Sequence, residues 1–446
     1  MSDTIALLEE RLNDFRPAAR AAALEALMEC VEAGEFSLPA QGQDFNLHAH
    51  SFFSFNGYGY SPSYLAWAGR KQGLCAMGLV DFDVLDGVDE FLHACTRVGL
   101  RACASLETRV FVPEFADRVI NSPGEPGIAY HMGVGFVRGA VEDRTLLDRF
   151  RSIANGRTQD LVRRVNVHLD AIALDYETEV LSRTPGGNAT ERHVCAAYEE
   201  KARAVFPDAA ARVAYWAERL GMAADAITAC LDDAPTLQGH IRAKTMKAGG
   251  MGYVQPSGPD FPSASEVNAF SRAQGAIPTL AWLDGTTAGE QSLAELLDIM
   301  VAQGVEAVNI IPDRNWNLKN PKERALKVAH LYEFVDAAQK RQLPVIVGTE
   351  MNAHGQRFVD DFTAEPMRPL HAIFLEGVYI AHAHTLLQRA AGMGYVSAWA
   401  DAHFPDAADK NAFFRAVGEA AAPGKTDKLD VLDASASPVS VLARFA

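Results

Sequence analysis

The sequence is poor in cysteine, has fewer basic than acidic residues, and lacks any long apolar run. Its 446 residues contain six cysteines and no C-x-x-C pair. Cys30, Cys75, Cys95, Cys103, Cys195 and Cys230 sit mostly among Ala, Leu and Val, the setting of buried free thiols. A disulfide framework is therefore not expected, and a reducing compartment is. Lys and Arg total 41 against 57 Asp and Glu, a formal charge of −16. That balance argues against broad contact with nucleic-acid phosphates or anionic lipid, which needs a surplus of cations. A small anionic substrate stays compatible, because a few local arginines or a bound divalent ion invert the local field. No stretch approaches the ~18 apolar residues of a membrane span. Asp3, Glu9 and Glu10 stand where a signal peptide carries basic residues. The expectation is a soluble, cytoplasmic protein.

What is present is an alternation of strands and helices. Residues 3–33 show helical spacing (Leu8, Leu12, then Leu24, Leu27, Val31), with Pro17 as a break and Gly34 as a stop. From Phe45 the period changes to that of a strand, which ends at His48 and His50. Ser61-Pro62 reads as the cap of a helix. Leu74–Val80 reads as a second strand, Val88–Val98 as a helix closed by Gly99, and Leu100–Leu106 as a third strand. Gly127–Gly133 is a fourth candidate strand. Residues 140–250 are rich in Ala, Arg, Asp and Glu at helical spacing; the α/β rhythm then resumes, with strands at Ile277–Trp282, Ala307–Ile311 and Leu343–Val347. Such repeats imply a parallel α/β architecture whose chemistry gathers at the carboxyl ends of the strands.

The residues at those ends are the candidates. In a strand, His48 and His50 point the same way, and paired neutral imidazoles are a start for a metal site. Asp81 and Glu107 end the next two strands, His131 sits in the fourth, and Glu350 follows the last. Taken alone, the pair could be two hydrogen-bonded histidines, His131 a core residue, Asp81 a helix cap and Glu350 a salt-bridge partner.

The stretches His48-Ala-His50-Ser51, Ser61-Pro62, Leu79-Val-Asp81-Phe-Asp83 with Asp86-Gly87, Ser105-Leu-Glu107, His131, Thr184-Pro-Gly-Gly-Asn with Arg192-His193, and Gly348-Thr-Glu350-Met-Asn352 occur in an order that resembles the polymerase and histidinol phosphatase (PHP) family of metal-dependent phosphoesterases. The resemblance spans roughly residues 44–355. It implies a distorted (β/α)7 barrel formed by residues 44–139 and 251–361. Residues 140–250 become an inserted helical cap, 1–43 an N-terminal helical arm and 362–446 a mainly helical C-terminal extension. The family also has departures here: Phe82 for a histidine, Phe55 and Asn56 for a ligand, Trp282 for a histidine, and Asn352 for another.

What the resemblance implies is a reduced cluster. His48, His50, Glu107 and Glu350 would hold one ion, and Glu107 with His131 a second, so one or two divalent ions are expected. Nitrogen ligands suit Zn, Mn or Fe better than Mg or Ca. Asp284 could replace the missing histidine. Asp81, Arg192 and His193 are the expected catalytic groups, with Arg109 and Arg314 as further phosphate binders. The function implied is a metal-dependent phosphoesterase for a small phosphorylated metabolite or nucleotide. The alternatives are an eroded barrel that binds a metal or ligand, and a metal-dependent hydrolase of a non-phosphate substrate. A nucleic-acid polymer and a membrane are not expected as partners, and a homo-oligomer is left open.

Overall fold

The computed structural model describes residues 2–141, 144–424, 429 and 432–445. Positions 142–143 of the expected insertion, and 425–428, 430–431 and 446 of the expected C-terminal extension, lie outside them. Seven strands follow one another in spatial and sequence order: β1 Phe45–Ala49, β2 Ala76–Phe82, β3 Arg101–Phe111, β4 Ile128–Val134, β5 Ile277–Trp282, β6 Ala307–Ile310 and β7 Val345–Val347. The sheet curls into a nearly closed α/β barrel. Its two edges meet through a parallel bridge between Ala49 and Met351 and through the His50 N–H, which donates to the Met351 carbonyl at 3.2 Å. Gly348 makes that closure possible. A Cβ there would stand 2.2 Å from the His48 nitrogen, so only glycine lets the end of β7 pass so close.

The distortion lies at β4. It pairs antiparallel with both β3 and β5, while every other neighbouring pair is parallel. A return from β3 to β4 without a crossover helix forces that reversal. The start of β4, not its end, therefore lies at the face where the other strands finish.

Helix signals fall where the sequence placed them. Ser61 caps the helix Pro62–Lys71 by accepting from the Tyr64 N–H at 3.0 Å, a contact worth about 1 kcal/mol. Pro17 does not merely break a helix; it begins the next one, Pro17–Glu32. On that helix Arg20 is buried, its guanidinium paired with Glu90 and lying over Phe52. The arm thus braces the loop that follows the histidine pair.

The insertion has an apolar core of its own, with Leu161, Val165, Tyr198, Trp216 and Ile241 at its centre, apart from the barrel's core. Within it the sequence suggests two helices between Leu146 and Leu174, yet one long helix, Thr145–His168, forms there. The C-terminal helix His371–Ala391 shares the barrel's core and crosses its amino-terminal end: Gly377 lies on Val345, and His382 Nδ1 accepts from the Ala102 N–H. It closes the floor opposite the candidate site. Among the described residues, no helix is long and apolar enough to cross a membrane.

Candidate metal centre

At the carboxyl end of the barrel, His48 Nε2 and His50 Nε2 stand 3.2 Å apart, and each is 3.5 Å from Glu107 Oε2. Period-two alternation sends both imidazoles inward from β1, and the parallel strands bring Glu107 of β3 level with them. Nitrogen donors on a tetrahedral ion, bonding at about 2.0–2.1 Å, stand about 3.3 Å apart, so the triangle has the size of a metal site. All three side chains are buried, and Glu107 Oε2 has no hydrogen-bond partner.

The surrounding contacts fix the tautomers. Asn309 Nδ2 donates to the Ile346 carbonyl, which leaves Asn309 Oδ1 to accept from His48 Nδ1–H at 3.0 Å. Ser54 Oγ donates to Asp81 Oδ1 at 2.6 Å, so it accepts from His50 Nδ1–H at 3.3 Å. Both Nε2 lone pairs therefore face each other and an unpartnered carboxylate oxygen. Such an arrangement calls for a cation.

The titration of these groups agrees. Burial opposes charge on His48, but Glu107, with Glu350 behind it, prevails and lifts His48 above its ordinary value. Burial and the neighbouring His48 hold His50 well below its own. Burial raises the Glu107 carboxyl, against the pull of His48. A metal ion at the triangle would compete with a proton at His48.

Other expected residues fall into different places. Glu350 reaches the same cleft but stands beside the triangle. One of its oxygens pairs with Arg314, and the other accepts from Asn352 Nδ2 at 3.3 Å. His131 does not join the centre. It faces outward to Asn268 on the helix Ala264–Ala273, with 2.5 Å between His131 Nε2 and Asn268 Oδ1. The register of β4 is the reason: Glu107 pairs with Met132 and Arg109 with Tyr130, so Tyr130 shares their face and lines the cleft, while His131 takes the opposite one.

Asp81 lies beneath the cleft. It accepts from the Ser51 N–H and from the Ser51 and Ser54 hydroxyls, and burial raises its carboxyl to about 6. It acts on the site only through Ser54. His193 is a helix cap: its Nδ1 accepts from the Thr190 N–H at 3.0 Å, and its ring packs edge-on against Phe55. Asp284 is tied to Thr286 and Lys327. Trp282 stacks on Phe334 in the wall, and Phe82 stacks on His50. Trp282 and Phe82 thus pack rather than offer ligand atoms.

Arg192 does reach the cleft. This cleft, about 660 Å³, runs between the barrel mouth and the insertion. Arg109, Arg157, Arg164, Arg192, Arg242, Lys247 and Arg314 line it, as do the carboxylates Asp83, Glu107, Glu125, Asp160, Glu191, Asp260 and Glu350. Its charges balance, in a chain of net charge −16. Among the described residues, Arg192 has no carboxylate partner, and burial lowers its pKa. Among the described residues, three non-glycines have positive φ; two of them, Asp83 and Glu350 (60° and 59°), sit at the ends of β2 and β7 on this cleft. Such strain gathers at functional sites. Sequence reasoning missed Tyr130, Ser54 and Asn309; Ser54 and Asn309 carry no motif, because their work is to orient other side chains.

No family model matches the chain, and no curated protein does. Among solved structures, it is similar to an amidohydrolase from Chromobacterium violaceum with bound sulfate and no metal. The identity is 16%, the TM-score 0.48, and the match covers 75% of this chain and 96% of that one. It is also similar to a protein from Bifidobacterium adolescentis described as a metal-dependent phosphoesterase, at 19% identity and a TM-score of 0.45, covering 76% of this chain and 98% of that one. Likenesses this distant leave the functional reading to the geometry of the site.

Proposed function

We propose that the chain is a metal-dependent phosphoesterase for a small phosphorylated metabolite or nucleotide, with a divalent ion held by His48, His50 and Glu107. The observation that carries this reading is the triangle itself: two Nε2 lone pairs and an unpartnered buried carboxylate oxygen within 3.5 Å of one another. When bound, an ion there polarises a phosphoryl oxygen and lowers the pKa of a coordinated water towards ~7. Two imidazoles favour Zn, Mn or Fe.

The chain's own groups supply the rest. Arg192 and Arg314 present guanidinium forks suited to phosphoryl oxygens. Burial keeps the Tyr130 phenol protonated at neutral pH, so it offers a hydrogen-bond donor in the same cleft. Phe82 keeps the flank of His50 apolar, and Phe55 lines the same cleft. Arg192 belongs to the insertion, so that unit both covers the barrel mouth and contributes to binding.

The test is release of inorganic phosphate from a panel of small phosphate esters by protein loaded with Zn, Mn or Fe. Turnover is expected, with Arg192→Ala raising KM roughly tenfold or more. Stoichiometric metal without turnover of any phosphate ester would refute the phosphoesterase. It would favour a metal-binding barrel or a hydrolase of another substrate, a second reading that draws on the outward turn of His131 and the occupation of Glu350 by Arg314.

A further inference from the structure

We propose that Arg314 is the fixed second cation of this centre, so that the site holds one metal ion beside a guanidinium rather than two ions. The proposal rests on the metal reading above and specifies how that site is charged.

Arg314 sits in the short helix Asp313–Trp316 directly after β6, and its guanidinium pairs with Glu350 just past β7. Arg314 and Glu350 line the same cleft onto which His48 and Glu107 open. The guanidinium thus stands at the triangle's side of the barrel mouth. A second divalent ion would need carboxylate oxygens there, and both oxygens of Glu350 are engaged, one by Arg314 and one by Asn352.

The neighbouring acids are engaged as well. Asp83 accepts from the Thr108 hydroxyl at 2.6 Å, and Glu125 pairs with Arg109 at 2.7 Å. Glu191 is shared by Arg242 and Lys247 at 2.9 and 2.8 Å. His131 is turned away to Asn268. A second ion would therefore have to displace a guanidinium that does not lose its proton, against repulsion from the first ion.

The chemical consequence is a fork. An anionic oxygen of the substrate would be held by the ion on one side and by Arg314 on the other. The guanidinium's share of that positive charge is covalent and cannot be stripped by chelators.

The test is metal stoichiometry by elemental analysis and native mass spectrometry after saturation with Zn or Mn, on wild type, Arg314→Lys, Arg314→Met and Arg314→Met/Glu350→Gln. Circular dichroism checks that each variant is folded. We expect one equivalent for wild type and for Arg314→Lys, which keeps the charge. Arg314→Met, which frees Glu350, should take two, and the double variant should return to one. Two equivalents in wild type, or one in folded Arg314→Met, would overturn the role of Arg314 while leaving the metal centre standing. No bound metal in any of the proteins would overturn both.

Discussion

Replacing Ser54 by alanine removes one hydroxyl that no substrate touches, yet it should weaken metal binding sharply. Ser54 Oγ links Asp81 Oδ1, at 2.6 Å, to His50 Nδ1, at 3.3 Å. Without it the His50 Nδ1–H has no acceptor, and nothing holds the imidazole with its Nε2 lone pair towards His48 and Glu107. Losing such a support typically costs roughly 10–100-fold in metal affinity, or about 1.4–2.7 kcal/mol. The buried N–H left unpaired adds about 1–3 kcal/mol against folding. The Asp81 carboxyl, which burial already raises to about 6 against the pull of Ser54 and Ser51, should rise further. The assay is a competition titration of Zn or Mn against a fluorescent chelator at pH 7.5, with circular dichroism as the folding control. Asn309→Leu removes the equivalent acceptor of His48 Nδ1 and should act in the same direction. A folded Ser54→Ala protein with unchanged affinity would refute the assignment of the His50 Nε2 atom to the metal.

Two further perturbations bear on the frame around the site. Burial lowers His131 to about 4 from its ordinary 6.5, so the native protein leaves it neutral while the unfolded chain binds the proton. The stability it contributes is complete above about pH 6.5 and declines as pH falls towards 4; the loss at pH 5 is about 2 kcal/mol. His131→Gln should therefore lose about that much less stability than wild type between pH 7.5 and 5 in urea unfolding, and its metal affinity at neutral pH should be unchanged. Loss of metal would return His131 to the centre. Gly348→Ala places a methyl group 2.2 Å from the His48 backbone nitrogen; the overpacking should cost about 1–3 kcal/mol and weaken metal binding by shifting β1, seen as a lower Tm and a raised Kd together.

Much of the barrel was legible in the sequence because strand and helix signals there are local. The β1 and β5 bounds and the helix Val88–Val98 match their apolar patterns, and Ser61 and Gly99 mark helix ends through capping chemistry. The direction of β4 is not a local property. Nothing in Ile128–Val134 records how it registers against β3, so His131, expected from the resemblance, could not be seen to take the face opposite Tyr130. The shared facing of the histidine pair was legible because strand alternation sets it; Glu107 was marked by its place at a strand end and by the resemblance.

His193 caps its helix, since Thr-x-x-His at a helix start serves as a cap, and the sequence does not distinguish that use from a catalytic one. Asp81 was placed at the correct strand end. Its hydrogen bonds to Ser51 and Ser54, however, draw it into orienting His50 rather than into the cleft. The engagement of Glu350 by Arg314 joins residues 36 positions apart and depends on the lateral packing of β6 on β7.

The most direct test of the metal centre is anomalous diffraction at the metal edge from crystals of the protein grown with Zn or Mn. One strong peak bonded to His48 Nε2, His50 Nε2 and Glu107 Oε2 is expected, and it should vanish in a His48→Ala/Glu107→Ala variant. A peak bonded to His131, or no peak among the three residues at saturating metal, would contradict it.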